Sequence, residues 1–356
     1  MEYQYAPYRR RFIKQIALIS CGGLLTPLFS NEQDLCDCFD NSQKGKFVPV
    51  ILTPFNPDLS VDFEGLSRLV DFYSRSGAEG FFANCLSSEM YNLSDSERLA
   101  VTKHVVRYAN EKAPVVATGS FGKSIEEKVI FSKKIYDCGV NSVILISSHF
   151  VSREEDDDIL INNLERFLEL TGSIRVGTYE CPSPYKRIIS PKVYSFLVET
   201  GRVYYHKDTT EDIDAIITKI GLSKNSSLKL FNAHSATAVE SLREGAAGMS
   251  PISGNFYPEI IHWICKNATT SEKQKEVDWI QSEIMETEKI ISVGYPNSAK
   301  YFLRKRGLDI QEGSRIRNKP LSVEQKKALD KLYSRFLDWC ERLGITPVVY
   351  KNKFFN

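Results

Sequence analysis

The run Arg202-Val203-Tyr204-Tyr205-His206-Lys207-Asp208 carries a β-rich segment onto a lysine, and 28 residues upstream Ile174-Arg175-Val176-Gly177-Thr178-Tyr179 ends another on a tyrosine. Strand side chains alternate between two faces, so Val203, Tyr205 and Lys207 share one of them. If that face lines a barrel interior, the ammonium is carried among apolar and aromatic neighbours that solvate it poorly. Burial penalises the charged form of an amine and lowers its pKa. A lysine brought near neutrality is partly free amine, and a free amine attacks a ketone to give a Schiff base. A tyrosine beside it supplies a proton donor and acceptor. A spacing of 28 residues is about one strand-to-strand step of a βα repeat, which sets the two groups at the mouths of neighbouring parallel strands.

Short β-rich runs alternate with longer helical patterns from residue 46 onward. Eight runs are found: Phe47–Leu52, Gly80–Cys85, Pro114–Gly119, Ser142–Ile146, Arg175–Tyr179, Val203–Lys207, Leu228–Asn232 and Gly248–Ile252. Between them, stretches such as Asp62–Ser76, Ser94–Asn110, Ser124–Cys138 and Asp157–Leu170 have apolar residues at three- and four-residue spacing, and Ser94-x-x-Glu97 has the pattern of a capping box. Eight β/α units predict an α/β fold, a (β/α)8 TIM barrel over residues 46–257. Chemistry in such barrels lies at the carboxyl ends of the strands, where Ser87, Tyr179, Lys207 and Ser250 fall. After Pro258 only helical patterns remain, at about Glu259–Asn267, Ser271–Val293, Ala299–Arg306 and Ser322–Leu343. Residues 258–345 are therefore expected to form a C-terminal helical domain, with 346–356 as a tail.

Other pieces stand in order around the lysine and the tyrosine. They are Val48-Pro49-Val50-Ile51-Leu52-Thr53-Pro54-Phe55 with Val61-Asp62, Ser87-Ser88-Glu89 with Leu93-Ser94 and Glu97-Arg98, Pro182, Asp208, Gly248 through Asn255, and Pro296-Asn297-Ser298-Ala299-Lys300. From about residue 46 to 345 this series resembles the dihydrodipicolinate synthase and N-acetylneuraminate lyase family of class I, Schiff-base-forming aldolases. The resemblance implies that Lys207 forms an imine with a 2-keto acid and that Tyr179 shuttles protons. It implies that Ser87 and Ser88 grip the substrate carboxylate and that Ser250 and Asn255 line the strand-eight side of the pocket. It also implies a homodimer or homotetramer that needs no cofactor. By composition alone Lys207 would be a solvated lysine paired with Asp208, and the hydrophobic strand before it together with the resemblance reverses that reading. Glu89 reads as a structural hydrogen-bond acceptor rather than a base.

Three departures from the family pattern bear on chemistry. Leu86 stands where a hydroxyl is usual, leaving Ser87, Ser88 and their backbone amides to hold the carboxylate. In Ser148-His149-Phe150, Phe150 takes the place of a tyrosine that often reaches across a subunit boundary to complete a proton relay. His149 admits two readings, a relay group that titrates near neutrality or a loop and ligand contact. Pro184 replaces an arginine that one branch of the family uses to hold a second carboxylate; Lys186 and Arg187 read equally as its substitutes or as surface cations.

The first 30 residues are a separate object. Arg9-Arg10-Arg11-Phe12-Ile13-Lys14 precedes an uncharged, largely apolar stretch from Gln15 to Phe29, the pattern of a twin-arginine export signal, and residues 31–45 read as a polar linker. The expected destination is the periplasm. A second reading, a lipid anchor at Cys21, meets the objection that only about six residues separate it from Lys14. The apolar stretch is short of the roughly 20 residues a spanning helix needs. With 46 basic and 45 acidic residues, nothing favours nucleic acid. Gly119-Ser120-Phe121-Gly122-Lys123-Ser124 imitates a phosphate loop but has Ala117 where the first glycine belongs. Cys36-x-Cys38 lacks a second pair, and the five histidines show no zinc spacing, so no metal is expected. The chain is expected to be an exported lyase or aldolase acting on a 2-keto acid of the pyruvate or sugar-acid type. Two alternatives remain open: a hydratase using the same imine, and a barrel that keeps a keto-acid pocket without turnover.

Overall fold

Parallel strands need a crossover of a dozen or more residues between them, and the helical stretches between the β-rich runs supply it. The computed structural model describes residues 45–109, 113–316 and 319–350. Its strands are β1 (Lys46–Phe47), β2 (Phe81–Ala83), β3 (Val115–Thr118), β4 (Ser142–Ile146), β5 (Val176–Tyr179), β6 (Val203–Asp208), β7 (Lys229–Asn232) and β8 (Gly248–Met249). All pair in parallel in the order β1-β8-β7-β6-β5-β4-β3-β2. The remaining gap is closed past the end of β1, where Val50 bridges Phe82, Ile51 donates to the Phe82 carbonyl and Phe82 donates to the Pro49 carbonyl, both at 3.0 Å. The fold is a (β/α)8 barrel with a C-terminal helical region, and closure removes the open edges a flat sheet would expose.

Helices α1 (Phe63–Arg75), α2 (Asp95–Ala109), α3 (Ile125–Tyr136), α4 (Asp157–Thr171), α5 (Pro191–Glu199), α6 (Ile213–Ser223) and α7 (Ala238–Arg243) form the crossovers. Most begin on a side-chain cap that satisfies otherwise unpaired amides. Asp62 accepts from Gly65 N, Ser124 from Glu127 N, Asp156 from Ile159 N and Ser190 from Val193 N. The Ser94 and Glu97 capping box forms in both directions. Helix α8 (Pro258–Asn267) packs against β1 and closes the ring of barrel helices.

The helical region continues with α9 (Gln274–Met285), α10 (Glu288–Ser292), α11 (Asn297–Lys305) and α12 (Val323–Leu343). The single helix expected over Ser271–Val293 is thus two helices. Buried Thr287 donates its hydroxyl to the Ile284 carbonyl and meets the Tyr257 phenol, so a side chain takes the acceptor that would have continued the ladder. Arg306 ties this region to the barrel: fully buried, it pairs with Glu259 of α8 and donates to the carbonyls of Phe256 and Val348. Residues 1–44 and 351–356, including the expected signal, most of the linker and the end of the tail, lie outside the described residues. Among the described residues no helix is long and apolar enough to cross a membrane.

One glycine controls how β5 meets β6. Val176 pairs with Val203, but Gly177 pairs with Tyr205, so the register slips by one residue there and Tyr179 comes opposite Lys207. A Cβ on Gly177 would lie 2.7 Å from the Tyr205 carbonyl oxygen and 2.6 Å from Ile144 Cδ1. In a strand a one-residue slip turns every side chain to the other face, so this bulge decides whether tyrosine and lysine meet. We expect Gly177→Ala to lose about 1–3 kcal/mol of stability in urea unfolding and to impair chemistry at Lys207 beyond what that loss explains, because the strands must part where the register is set.

Candidate active site

Alternation along β6 sorts its side chains between two environments. Tyr205 points into the barrel, stacked on Phe231 with centroids 4.6 Å apart and edge-on to Phe82 at 5.9 Å. Lys207 follows on the same face, its ammonium 4.9 Å from the Tyr179 ring centroid and 5.5 Å from that of Phe82. His206 and Asp208 face the helices instead: His206 meets the Tyr194 ring of α5, and Asp208 pairs with Lys219 of α6 at 2.6 Å. The carboxylate next to Lys207 in sequence is therefore committed elsewhere, and among the described residues no carboxylate pairs with Lys207. Aromatic faces only partly replace water around a charge. Burial accordingly pulls the Lys207 pKa down to about 8.

Asp208 belongs to a buried cluster with Glu180 and His206, whose ligand atoms approach closely enough to hold a metal ion. The Lys219 ammonium sits among them, 2.5 Å from Glu180 and 2.6 Å from Asp208, and supplies the positive charge. Glu180 also accepts from the amides of Ile189 and Thr209, both at 2.9 Å, and so fixes the loops that follow β5 and β6.

Tyr179 is buried beside Lys207, and burial holds its phenol protonated, well above the usual tyrosine range. Cys181, two residues further on, is buried as well, and burial pushes its thiol up to about 11. The Tyr91 hydroxyl lies 2.6 Å from the Ser183 carbonyl and 2.9 Å from His149 Nε2. His149 Nδ1 is 2.6 Å from the Ser120 carbonyl, so the loop that imitates a phosphate site in sequence positions an imidazole.

On the opposite side a directed chain of hydrogen bonds leads to Ser87. Tyr73 donates to Asn255 Oδ1 at 2.5 Å, Asn255 Nδ2 donates to the Tyr295 oxygen at 2.7 Å, and Tyr295 donates to Ser87 Oγ at 2.7 Å. Each donor polarises the next, and the series leaves the Ser87 proton at its end as a donor for an incoming anion. Asn255 thus acts through Tyr295. Ser88 donates to the Ile51 carbonyl at 2.6 Å while accepting from Cys85 N, so its hydroxyl holds the turn. Ser250 is fully buried and directly follows β8, on the strand-eight side of the barrel. Glu89 is buried and accepts from Lys300 and from the amides of Arg315 and Ile316. Phe150 is buried edge-on to Phe167. Lys186 pairs with Glu211 and Arg187 with Asp157. Tyr73, Tyr91 and Tyr295 were not singled out from sequence, and no local pattern near them signals a role.

A buried amine at the mouth of a closed barrel, with a tyrosine in register beside it, is the arrangement of a Schiff-base aldolase. The dihydrodipicolinate synthetase family profile matches residues 43–335, and the chain belongs to that family of class I aldolases and lyases. The chain is 23% identical over 291 residues to 4-hydroxy-tetrahydrodipicolinate synthase of Bacillus velezensis, covering 82% of this chain and 98% of that one. The Bacillus subtilis enzyme of the same name is likewise 23% identical, over 82% of this chain and 98% of its own length. In fold the chain is similar to YagE, a prophage protein of the dihydrodipicolinic acid synthase family from E. coli K12 solved with pyruvate. The TM-score is 0.74 at 19% identity, over 83% of this chain and 98% of that one. It is similar also to CdNal from Clostridium difficile solved with mannosamine, with TM-score 0.73 at 17% identity over 83% of this chain and all of that one.

A lowered lysine pKa means that the proton leaves at lower pH, so the nucleophilic form grows in from neutral pH upward. With a pKa of about 8, about one amine in ten is neutral at pH 7, against about one in three thousand for an ordinary lysine. We expect the initial rate of imine trapping by cyanoborohydride to rise with pH and level off above a midpoint near 8. A midpoint near 10 would mean that water reaches the ammonium.

Proposed function

We propose that Lys207 attacks the ketone of a 2-keto acid and that the resulting imine acts as an electron sink for carbon–carbon cleavage or for loss of water. The observation that carries this reading is the amine itself, buried against Tyr179 and Phe82 with its neighbouring carboxylate turned away. Tyr179 gives its proton to the carbinolamine hydroxyl, which leaves as water. The phenolate then takes a proton from the substrate, favoured by the iminium charge beside it. Ser87, presented by Tyr295, donates to the carboxylate. Borohydride with pyruvate is expected to add one covalent label per chain, and Lys207→Ala or Lys207→Arg to abolish it, since arginine stays protonated. A label mapped to any other residue overturns the assignment.

For the substrate we favour a hydroxylated 2-keto acid of the sugar-acid type over aspartate semialdehyde. Pro184 offers no cation, and the two that follow it are already paired, Lys186 with Glu211 and Arg187 with Asp157. A missing charged hydrogen bond to a second carboxylate costs about 1.5–3 kcal/mol, roughly 10- to 150-fold in selectivity. The purified protein is expected to show negligible condensation of pyruvate with aspartate semialdehyde. A panel of hydroxylated 2-keto acids should contain one that is cleaved or dehydrated in a manner requiring both Lys207 and Tyr179. Efficient formation of the dihydrodipicolinate precursor would reverse the choice.

We propose further that Arg9 and Arg10 direct export of the folded enzyme, which places it among scavenged sugar acids. Mass measurement of the native amino terminus is expected to find a start between about residues 21 and 32. A lipidated Cys21 would indicate anchoring instead, and an intact Met1 would remove both readings.

A further inference from the structure

Tyr179 and Lys207 are the last registered pair between β5 and β6, at the point where the ladder runs out. Strand β5 ends at Tyr179 and β6 one residue past Lys207. The one backbone bond beyond the pair, from Glu180 N to the Lys207 carbonyl, is long at 3.3 Å. Backbone at the end of a ladder opens more readily than backbone within it. An amine and a phenol that must meet in one geometry are poorly placed there unless something besides the ladder holds them.

On the helix side of the sheet, away from the barrel interior, the residues that flank this pair are joined through their side chains. Thr178 and His206, the pair before it, meet at 2.9 Å through Oγ1 and Nδ1. Glu180 and Asp208, the residues after it, are bridged by the Lys219 ammonium, which donates to them at 2.5 and 2.6 Å. Lys219 reaches in from α6, the helix that follows β6, and donates also to Thr210 Oγ1 at 2.9 Å. Thr209 adds a second tie to Glu180, its amide donating to Oε2 at 2.9 Å and its hydroxyl to the Glu180 carbonyl at 2.6 Å. We propose that Lys219 is a positioning residue for the reaction: by bridging Glu180 and Asp208 it clamps the ends of β5 and β6, so that Tyr179 and Lys207, one residue before each, stay side by side.

Charge and burial suit Lys219 to this role. Glu180, Asp208 and Lys219 are all buried. Burial lowers the Lys219 pKa, as it does that of Lys207, but Glu180 and Asp208 outweigh it and hold the ammonium above the ordinary lysine value. Two buried lysines of one βα unit are thus set to opposite uses. Lys207, among aromatic rings, can lose its proton, while Lys219, between carboxylates, keeps its own and serves as a cross-link. Apolar groups in place of a whole buried ion pair are often as stable, so stability alone gives no reason to keep these charges. Geometry gives one, because the bridge has a single arrangement that satisfies both carboxylates.

The inference rests on imine formation at Lys207, and the test reads that separately. Trapping of pyruvate by cyanoborohydride yields the fraction of chains labelled, the maximal rate and the pyruvate concentration at half that rate. In Lys219→Met the maximal rate is expected to fall by about tenfold or more, with labelling still reaching one per chain and half-saturation shifted by less than about twofold. Half-saturation holds because Ser87 is supported from elsewhere, by Tyr295. Lys219→Met leaves two buried carboxylates without their cation, so Lys219→Met with Asp208→Asn is measured beside it. That variant keeps one carboxylate, held by the amides of Ile189 and Thr209, and the same slowing is expected. Tyr179→Phe decides the route. A clamp that acts by placing the phenol costs rate only while the phenol is there, so Lys219→Met is expected to add less than about twofold to the loss caused by Tyr179→Phe. An unchanged maximal rate in both Lys219 variants, a loss seen only as a smaller labelled fraction, or losses that multiply in the Tyr179→Phe background overturns the clamp. No labelling of the unaltered protein removes the Schiff-base reading, and the clamp's purpose with it.

Discussion

An amine that is to react at neutral pH must be kept from water and from carboxylates at once, and the fold does this by alternation along one strand. Lys207 and Asp208 are adjacent in sequence, where an ion pair would hold the lysine charged. Strand geometry sends the first into the aromatic interior and the second to the helix layer, where Lys219 neutralises it. Thermodynamic linkage shows what this costs. The folded-state pKa of Lys207 lies below its unfolded value, so between about pH 8 and the ordinary lysine range the unfolded chain binds more protons and stability rises with pH. The penalty is present in full below that window. It is offset by a core that runs continuously from the barrel interior into the C-terminal helices.

The second requirement is register. A reactive amine without a proton donor beside it forms imines slowly, and Tyr179 reaches Lys207 only because β5 and β6 slip by one residue at Gly177. Rejection of a Cβ by the Tyr205 carbonyl explains why a residue with no side chain stands in the middle of an otherwise bulky strand.

How far sequence reached follows from these two constraints. The eight strands, the lysine and the tyrosine were legible because each rests on a local pattern, a β-rich run between helical stretches or a fixed spacing along the repeat. The break at Thr287 was not, because a buried threonine facing Tyr257 looks in sequence like any helical residue. Partnerships between distant segments were also hidden. Tyr295 lies 208 residues from Ser87, and nothing near it signals that it props a site. Asn255 was picked out for the pocket, yet its two hydrogen bonds show it orienting Tyr295, a division of labour that no spacing rule contains. The glycine-rich loop after β3 mimicked a phosphate site because both uses turn backbone groups toward a partner, and here the group is the buried Ser120 carbonyl, which meets His149.

The departures at Leu86, Phe150 and Pro184 bear on whether the barrel has lost turnover, and the structure separates them physically. A barrel kept only for binding would need no reactive amine, and here the amine keeps its lowered pKa and its tyrosine neighbour. Tyr295 comes in from the helical region to donate to Ser87, beside the position where Leu86 lacks a hydroxyl. Pro184 has no replacement cation, since Lys186 and Arg187 are held by Glu211 and Asp157. Ser87 is thus supported beside Leu86, while the loss at the second carboxylate is not made good. That pattern is what a change of substrate would leave behind, because a pocket that no longer receives a second carboxylate has no reason to keep a buried cation for it.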